Sequence, residues 1–265
     1  MKDKELVLQT FTKQKRWCGL WAAGTLAFSV LSTPVIAADL VVSAASSLSN
    51  AFKELGESFE KQHPGTQVLN SFAASDILMR QVVNGAPVDV FASADQHAMD
   101  KAVAANAVVA STRRDFAQNA VVLIVPNDNP KKIEGLADLA KKDVTRIAYG
   151  NPATVPVGRY TQGALEKSGD WSAVESRQVL GQNVRQVLDY VARGEVDAGF
   201  VFATDAAIQS DRVQVVQTLE TTVPVLYPLA LVERKDRHPL AQDYLNYVLS
   251  DEGQAILANY GFDKP

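Results

Sequence analysis

The stretch LVVSAASSLSNAF (residues 40–52) decides the fold of this chain, because a short β-branched strand pattern breaks into small and hydroxylated residues and then opens a helix. The same form recurs in VLNSFAASDILMRQV (68–82), IAYGNPATVPVGRY (147–160) and RQVLGQNVRQVL (177–188). The first turn of a helix has backbone N–H groups without intrahelical partners and carries a partial positive charge. Each opening is therefore a potential anion cradle, and the four together predict one enclosed anion.

The first 37 residues have the pattern of a secretory signal peptide. Basic residues precede an apolar run over 17–31, and Val35-Ile36-Ala37 has the small residue of a cleavage site. Residues 1–37 are therefore predicted to be removed on export into a bacterial periplasm. The alternative is an uncleaved anchor, which requires about 20 apolar residues; the glycine, serine and threonine residues in the run disfavour it. Cys18 has no lipobox before it, so a lipidated cysteine is not expected.

The composition of the predicted mature chain excludes several classes of site and partner. Removal of 37 residues from 265 leaves 228, and these contain no cysteine. Disulfides and thiolate metal sites are therefore excluded. The removed segment holds five basic and two acidic residues, so the formal charge changes from −4 to −7. This charge argues against nucleic acid or an anionic membrane as partner, and it requires any anion to be bound by locally aimed donors.

Short strands alternate with helices along the whole chain, which is typical of α/β architecture. Two long apolar stretches, Ala120–Val125 and Val225–Val232, are predicted to pass between two lobes and to form a hinge. The predicted lobe I is discontinuous (38–118 plus 228–265), and lobe II is 119–227. Ligands of open α/β sheets bind beyond the carboxyl ends of the strands, so the ligand is expected in the cleft between the lobes.

Several blocks resemble the periplasmic molybdate-binding proteins of ABC importers, in order and spacing from about residue 40 to 262. They are AASSLSNAF (44–52), SFAASDILMRQVVNGAPVDVFASAD (71–95), YGNPATVPVGRY (149–160), NVRQVLDYVARGEVDAGFVFATDA (183–206) and NYGF (259–262). The resemblance implies the type II periplasmic-binding-protein fold, with two lobes, each a mixed sheet flanked by helices, joined by two crossing strands. It also implies a monomer that carries molybdate or tungstate to an inner-membrane ABC permease with its ATPase, without a cofactor.

The resemblance also assigns candidate ligands to the anion. Hydroxyl donors fall on Ser47 and Ser75, and backbone N–H donors fall on Val157 and Val184. Asn183 is a good N-cap, which makes Val184 the first helical residue. The alternative for the two serines is that they only cap helices, as serine before a helix commonly does.

One position departs from the family pattern. A tyrosine that commonly donates its phenol O–H to the anion aligns with Phe202, which has no donor. Because a hydrogen bond to a charged group contributes roughly 1.5–3 kcal/mol, we expect weaker binding unless Ser46, Thr204 or a water supplies a substitute.

The expected ligand is a proton-free dianion, so a matched site offers only donors. Asp76 and Asp205 lie near the matched segments and are predicted to face solvent or a helix dipole. Arg159 and Arg185, which lie close to the proposed amide donors, are predicted to be surface residues, with direct contact to the anion as the alternative. No bare metal cation is expected, since molybdenum would be held only as its oxyanion. Sulfate, thiosulfate and phosphate stay open as alternative ligands.

Other functions find little support in the sequence. A nucleophilic serine needs an adjacent base, and the three histidines, His63, His97 and His238, are predicted to be surface turn residues. The G-x-S-x-G pattern does not occur. Ferric iron or zinc would need clustered tyrosine, histidine or carboxylate ligands, and the tyrosines are dispersed. The sequence therefore predicts a binding protein and not an enzyme.

Overall fold

The computed structural model describes residues 39–265, so the predicted signal peptide lies outside the described residues. Ten strands are present in this range: β1 (Leu40–Ala45), β2 (Val68–Ala73), β3 (Val90–Ala92), β4 (Arg114–Asn119), β5 (Val121–Pro126), β6 (Ile147–Gly150), β7 (Gln178–Gly181), β8 (Ala198–Phe202), β9 (Val213–Thr218) and β10 (Val225–Leu231). Nine α-helices accompany them in the described chain: α1 (Ser49–Gln62), α2 (Ser75–Val83), α3 (Gln96–Ala104), α4 (Pro156–Ser168), α5 (Trp171–Glu175), α6 (Val184–Ala192), α7 (Ala203–Ile208), α8 (Ala241–Leu249) and α9 (Asp251–Asn259).

The strands form two five-stranded mixed sheets with the same pattern. The first sheet has the order β2-β1-β3-β10-β4, and the second has the order β7-β6-β8-β5-β9. In each sheet the first three strands are parallel, and the fourth is antiparallel to both of its neighbours. The α/β class and the two mixed sheets flanked by helices are therefore confirmed.

Helices cover the faces of both sheets, which explains the near-continuous apolar runs of the central strands. Helices α1 and α8 contact the first sheet, and α2 and α3 pack together against it. Helices α4, α6 and α7 contact the second sheet. Strand β5 is buried along its whole length, as its sequence VVLIVP predicts.

The chain passes between the sheets at two places. Strands β4 and β5 lie in different sheets and are separated only by Ala120. The second passage is the segment 219–224, between β9 and β10. The stretches predicted to cross, 120–125 and 225–232, therefore lie beside the two passages, since β5 and β10 each stay within one sheet. The lobe boundaries at 118/119 and 227/228 stay predictions, with the change of sheet at Ala120 close to the first of them.

Candidate functional site

A small cavity lies where the four helix openings meet. All five sequence-predicted residues line it: Ser47, Ser75, Val157, Val184 and Phe202. The rest of the lining consists of Ala45, Ser46, Ala73, Ala74, Ala94, Val155 and Pro156. Since β1 and β2 belong to the first sheet and α4 and α6 contact the second, both sheets contribute to the wall.

The two amide donors lie at the starts of helices, as predicted. Val184 is the first residue of α6, and Asn183 caps this helix by accepting a hydrogen bond from the Gln186 amide at 3.0 Å. Val157 follows Pro156, the first residue of α4, which has no N–H of its own. Neither amide has a hydrogen-bond acceptor among residues 39–265, as is usual in a first helical turn.

The structure contradicts the alternative that Ser47 and Ser75 serve as helix caps. Ser47 lies in a 3₁₀ turn (Ser46–Leu48), and Ser75 is the first residue of α2, whose N-cap Ala74 makes no side-chain bond. Their hydroxyls have other partners. The Ala94 amide donates to Ser75 Oγ at 3.0 Å, and Ser47 Oγ lies 3.1 Å from Tyr227 Oη. Both hydroxyls are thus held at the cavity wall from behind.

Tyr227 and Asn119 are site residues that the sequence reasoning missed. Asn119 Nδ2 donates to Tyr227 Oη at 3.2 Å and to Thr204 Oγ1 at 2.8 Å, while Asn119 Oδ1 accepts from the Ala120 amide at 2.9 Å. Burial raises the pKa of Tyr227 well above its ordinary value. A tyrosine within an aliphatic strand was the available signal, because a buried phenol hydroxyl usually requires a partner.

Phe202 contributes only an apolar surface to the cavity. Its ring packs against Tyr227 and Tyr160, with ring centroids 5.6 Å and 6.3 Å away. Of the two side chains predicted to replace the family tyrosine hydroxyl, Ser46 lines the cavity, whereas Thr204 does not and receives a hydrogen bond from Asn119.

Of the two alternatives predicted for Asp76, the structure agrees with the helix dipole and not with solvent, because Asp76 lies in the first turn of α2 and is buried. Its side chain is only 1% exposed, and Asp76 forms ion pairs with Arg159 at 2.5 Å and Lys101 at 3.1 Å. Arg159 also contacts Asp95 Oδ2 at 2.6 Å, so it is a bridging residue and not a free surface arginine. The Coulomb attraction of these pairs offsets the desolvation that burial imposes on the carboxylates. Because α4 contacts the second sheet and α2 the first, this cluster ties the two sides together.

A second arginine, Arg185, makes the corresponding link on the other side, and its side chain is paired instead of free at the surface. Arg185 Nε lies 2.5 Å from Asp205 Oδ1. The Asp205 side chain is fully buried in the first turn of α7, which agrees with the predicted helix dipole and not with the solvent alternative. The guanidinium also donates to Asn50 Oδ1 at 3.0 Å and to the Ser47 carbonyl at 3.2 Å. Arg185 thus joins α6 to α1 and to the turn that carries Ser47.

Asp205 should give the folding stability a distinct pH dependence. Burial raises its pKa from 3.8 to about 6, although Arg185 opposes this change. Between these values the folded protein holds more protons than the unfolded chain, so the stability that Asp205 contributes falls as pH rises. We expect the unfolding free energy of wild type minus that of Asp205→Asn to decrease by about 2.4 kcal/mol between pH 4 and 7. Urea unfolding of both proteins at each pH measures this difference, and an increase with pH would contradict it.

The histidines do not form a catalytic arrangement. His97 is exposed, as predicted, although it lies in α3. His238 is buried instead of exposed, and its Nδ1 accepts from the Leu240 amide at 3.1 Å. Within the described residues no cluster of three or more His, Cys, Asp or Glu side chains could hold a metal ion. No helix in this part of the chain is long and apolar enough to cross a membrane.

Comparisons with known proteins agree with this architecture. The family model described as "Bacterial extracellular solute-binding protein" matches residues 40–263. The molybdate-binding protein ModA of Escherichia coli (strain K12) is 33% identical over 255 residues, which cover 94% of this chain and 98% of that protein. ModA of Haemophilus influenzae is 34% identical over 233 residues, covering 85% and 90%.

A solved structure shows the same fold. The substrate binding domain of a putative molybdenum ABC transporter from Clostridium difficile is 30% identical, with a TM-score of 0.66, and the match covers 86% of this chain and 99% of that domain. The predicted periplasmic-binding-protein fold is therefore confirmed. The chain belongs to the bacterial extracellular solute-binding protein family, a family of binding proteins and not of enzymes, in which the ModA proteins are among its relatives.

Proposed function

We propose that this protein binds molybdate, and also tungstate, outside the cytoplasm and delivers it to an ABC permease. One observation carries the proposal: Ser47, Ser75, Val157 and Val184, to which the resemblance assigns the donor roles, line a single cavity. The relatives named as molybdate-binding proteins support the choice of ligand.

The chemistry of the cavity wall suits a proton-free dianion. Molybdate accepts hydrogen bonds and donates none, so it is matched by hydroxyl and amide donors. Among the described residues no charged side chain lines the cavity. The positive ends of α4 and α6 would stabilise the anion, as helix N-termini do in many oxyanion sites. The ligand is thus held without a counter-cation.

Delivery would depend on closure of two lobes around the anion. We propose lobe I as 38–118 plus 228–265 and lobe II as 119–227, hinged at Ala120 and at segment 219–224. An anion that contacts both lobes shifts the population toward the closed form. The permease, with its ATPase, would recognise that form of a monomeric protein, after removal of residues 1–37 and release into the periplasm.

A thermal-shift panel of oxyanions tests the proposal. At a ligand concentration 1,000 times Kd the folded state gains about 4 kcal/mol, which for a chain of this size raises the melting temperature by roughly 10 °C. We expect this shift with molybdate and tungstate and a smaller one with sulfate, thiosulfate and phosphate. No shift with molybdate, together with a large shift with another oxyanion, would overturn the assignment.

Two serine variants connect the binding to the cavity. Ser75→Ala removes a proposed ligand hydroxyl, and a lost hydrogen bond to a charged group corresponds to a loss of affinity of roughly 10- to 100-fold. Ser111→Ala, at an exposed position outside the cavity lining, is the matched control and should bind molybdate as wild type does. Calorimetric titration compares the three proteins.

A further inference from the structure

A serine hydroxyl can either donate or accept a hydrogen bond, so the presence of Ser47 and Ser75 does not by itself make a cavity of donors. Hydrogen phosphate carries a proton and can donate a hydrogen bond to a serine that accepts it. Molybdate carries no proton and cannot donate to such a serine. Discrimination between these anions therefore depends on which way each serine proton points. The groups behind the two serines decide this direction.

The hydrogen-bond network behind Ser47 has a defined starting point. The Ala120 amide can only donate, so the Asn119 atom that faces it at 2.9 Å must be the carbonyl oxygen Oδ1. The Asn119 Nδ2 group then points the other way, with one hydrogen for Thr204 Oγ1 at 2.8 Å and one for Tyr227 Oη at 3.2 Å. Tyr227 is thereby an acceptor toward Asn119.

The hydrogen bond between Tyr227 and Ser47 is oriented by the contact of Tyr227 with Asn119. Tyr227 keeps its phenol proton at neutral pH, because burial raises the pKa of this hydroxyl. Ser47 Oγ, 3.1 Å away, is the remaining hydrogen-bond partner of Tyr227 Oη among the described residues, so Tyr227 donates to it. Ser47 Oγ is then an acceptor toward Tyr227, and its own proton is free for the cavity that it lines.

The second serine is oriented in the same sense by the backbone. The Ala94 amide donates to Ser75 Oγ at 3.0 Å, which leaves the Ser75 proton free to point into the cavity. Ser75 is fully buried, so water does not compete for its hydroxyl. The two serines thus present hydrogens on their cavity side.

We propose that Tyr227 and Asn119 are positioning residues that fix Ser47 as a hydrogen-bond donor and so select proton-free tetrahedral oxyanions over protonated ones. This inference rests on the proposed function, since it assigns the ligand class of the same cavity. Neither residue lines the cavity, so both act through Ser47. Loss of the Tyr227 hydroxyl would release the Ser47 hydroxyl to rotate and to accept the proton of hydrogen phosphate.

The test compares Tyr227→Phe with wild type by calorimetric titration of the mature protein with molybdate, sulfate and hydrogen phosphate at about pH 8. We expect molybdate affinity to fall about tenfold, the equivalent of one hydrogen bond of about 1.4 kcal/mol. Affinity for hydrogen phosphate should be unchanged or higher, so the selectivity ratio falls by at least the same factor. Tyr244→Phe is the matched control, because Tyr244 is equally buried and its hydroxyl has no hydrogen-bond partner within the described part of the chain.

A double-mutant cycle separates positioning from a merely structural role. If Tyr227 acts through Ser47, Tyr227→Phe has no further effect on molybdate affinity or on the selectivity ratio in a Ser47→Ala background. An equal loss in both backgrounds, or an unchanged ratio in Tyr227→Phe, overturns the inference. Asn119→Ala, which removes the donor to Tyr227, should lower the same ratio, and it serves as the second variant if Tyr227→Phe folds poorly.

The wild-type titration distinguishes this inference from the proposed function. Binding of sulfate but not molybdate overturns the proposed function alone, and sulfate then replaces molybdate in the same comparison, since it also carries no proton. Preference of the wild type for hydrogen phosphate overturns both.

Discussion

Arg159→Met is expected to weaken molybdate binding at least tenfold and to lower the unfolding free energy by about 3–5 kcal/mol, the usual cost of removing one partner from a buried ion pair. Arg159 lies on α4, which contacts the second sheet, and pairs with Asp76 and Asp95 beside the first. Both carboxylates are at most 5% exposed. Without the guanidinium they would repel each other and the bound dianion, and the two sides of the cleft would lose one of their links.

The measurements are urea unfolding of the ligand-free protein and calorimetric titration with molybdate. Lys167→Met is the matched control, because it removes a cation from the same helix, but one that is 57% exposed and pairs with the exposed Glu220 at 3.6 Å. Exposed pairs of this kind contribute little to stability. Equal effects of the two substitutions would show that Arg159 does not link the two sides.

Gly158→Ala is expected to destabilise the protein by at least about 3 kcal/mol and to weaken molybdate binding by roughly a hundredfold. A Cβ atom at this position would lie 1.9 Å from the Gly150 carbonyl oxygen, a contact that only separation of β6 and α4 relieves. That separation would displace the adjacent Val157 amide, one of the proposed ligand donors, by more than the tolerance of a hydrogen bond.

Gly163→Ala on the same helix provides the control. Its Cβ would meet the side chain of the exposed Thr222 at 3.3 Å, and it replaces glycine in a helix interior, where alanine is favoured by about 0.5–1 kcal/mol. We expect unchanged molybdate affinity and equal or higher stability, measured by the same titration and urea unfolding. Molybdate binding by Gly158→Ala at wild-type affinity would contradict a role of the Val157 amide.

The local parts of the site were predictable from sequence. Each helix start that carries a proposed donor follows shortly after a strand, as at Ser75, Val157 and Val184. The pattern of strand, small residues and helix extends over only about ten residues of chain. The fold class followed from the same alternation. The polar edge strand β4 was not predicted, because β10 is its one neighbouring strand within residues 39–265 and its residues RDFAQN lack an apolar run.

The long-range parts of the site could not be predicted. Arg159 meets Asp76 and Asp95 across 83 and 64 residues of chain, and Tyr227 meets Ser47 across 180. The Arg159 pairs arise only when the two sheets face each other, and the Tyr227 pair arises only when β10 joins the sheet that contains β1. Nothing in the local pattern distinguishes Arg159 from a solvent-exposed arginine. The burial of the two carboxylates could not be predicted for the same reason, since the sequence around an aspartate at a helix start is the same whether or not a cation reaches it.

The identical strand order of the two sheets has a consequence for the shape of the ligand. The strands β1 and β6 hold the second position in their sheets, and they are followed by Ser47 and Val157. The strands β2 and β7 hold the first position, and they are followed by Ser75 and Val184. Each half of the molecule thus supplies two donors, one after its first strand and one after its second. A tetrahedral ion has two-fold rotation axes and can turn an equal pair of oxygens toward each half. Pyramidal ions such as selenite or chlorate have only a three-fold axis and would leave one donor unmatched. The duplicated topology thus favours ligands by their point-group symmetry as well as by their charge.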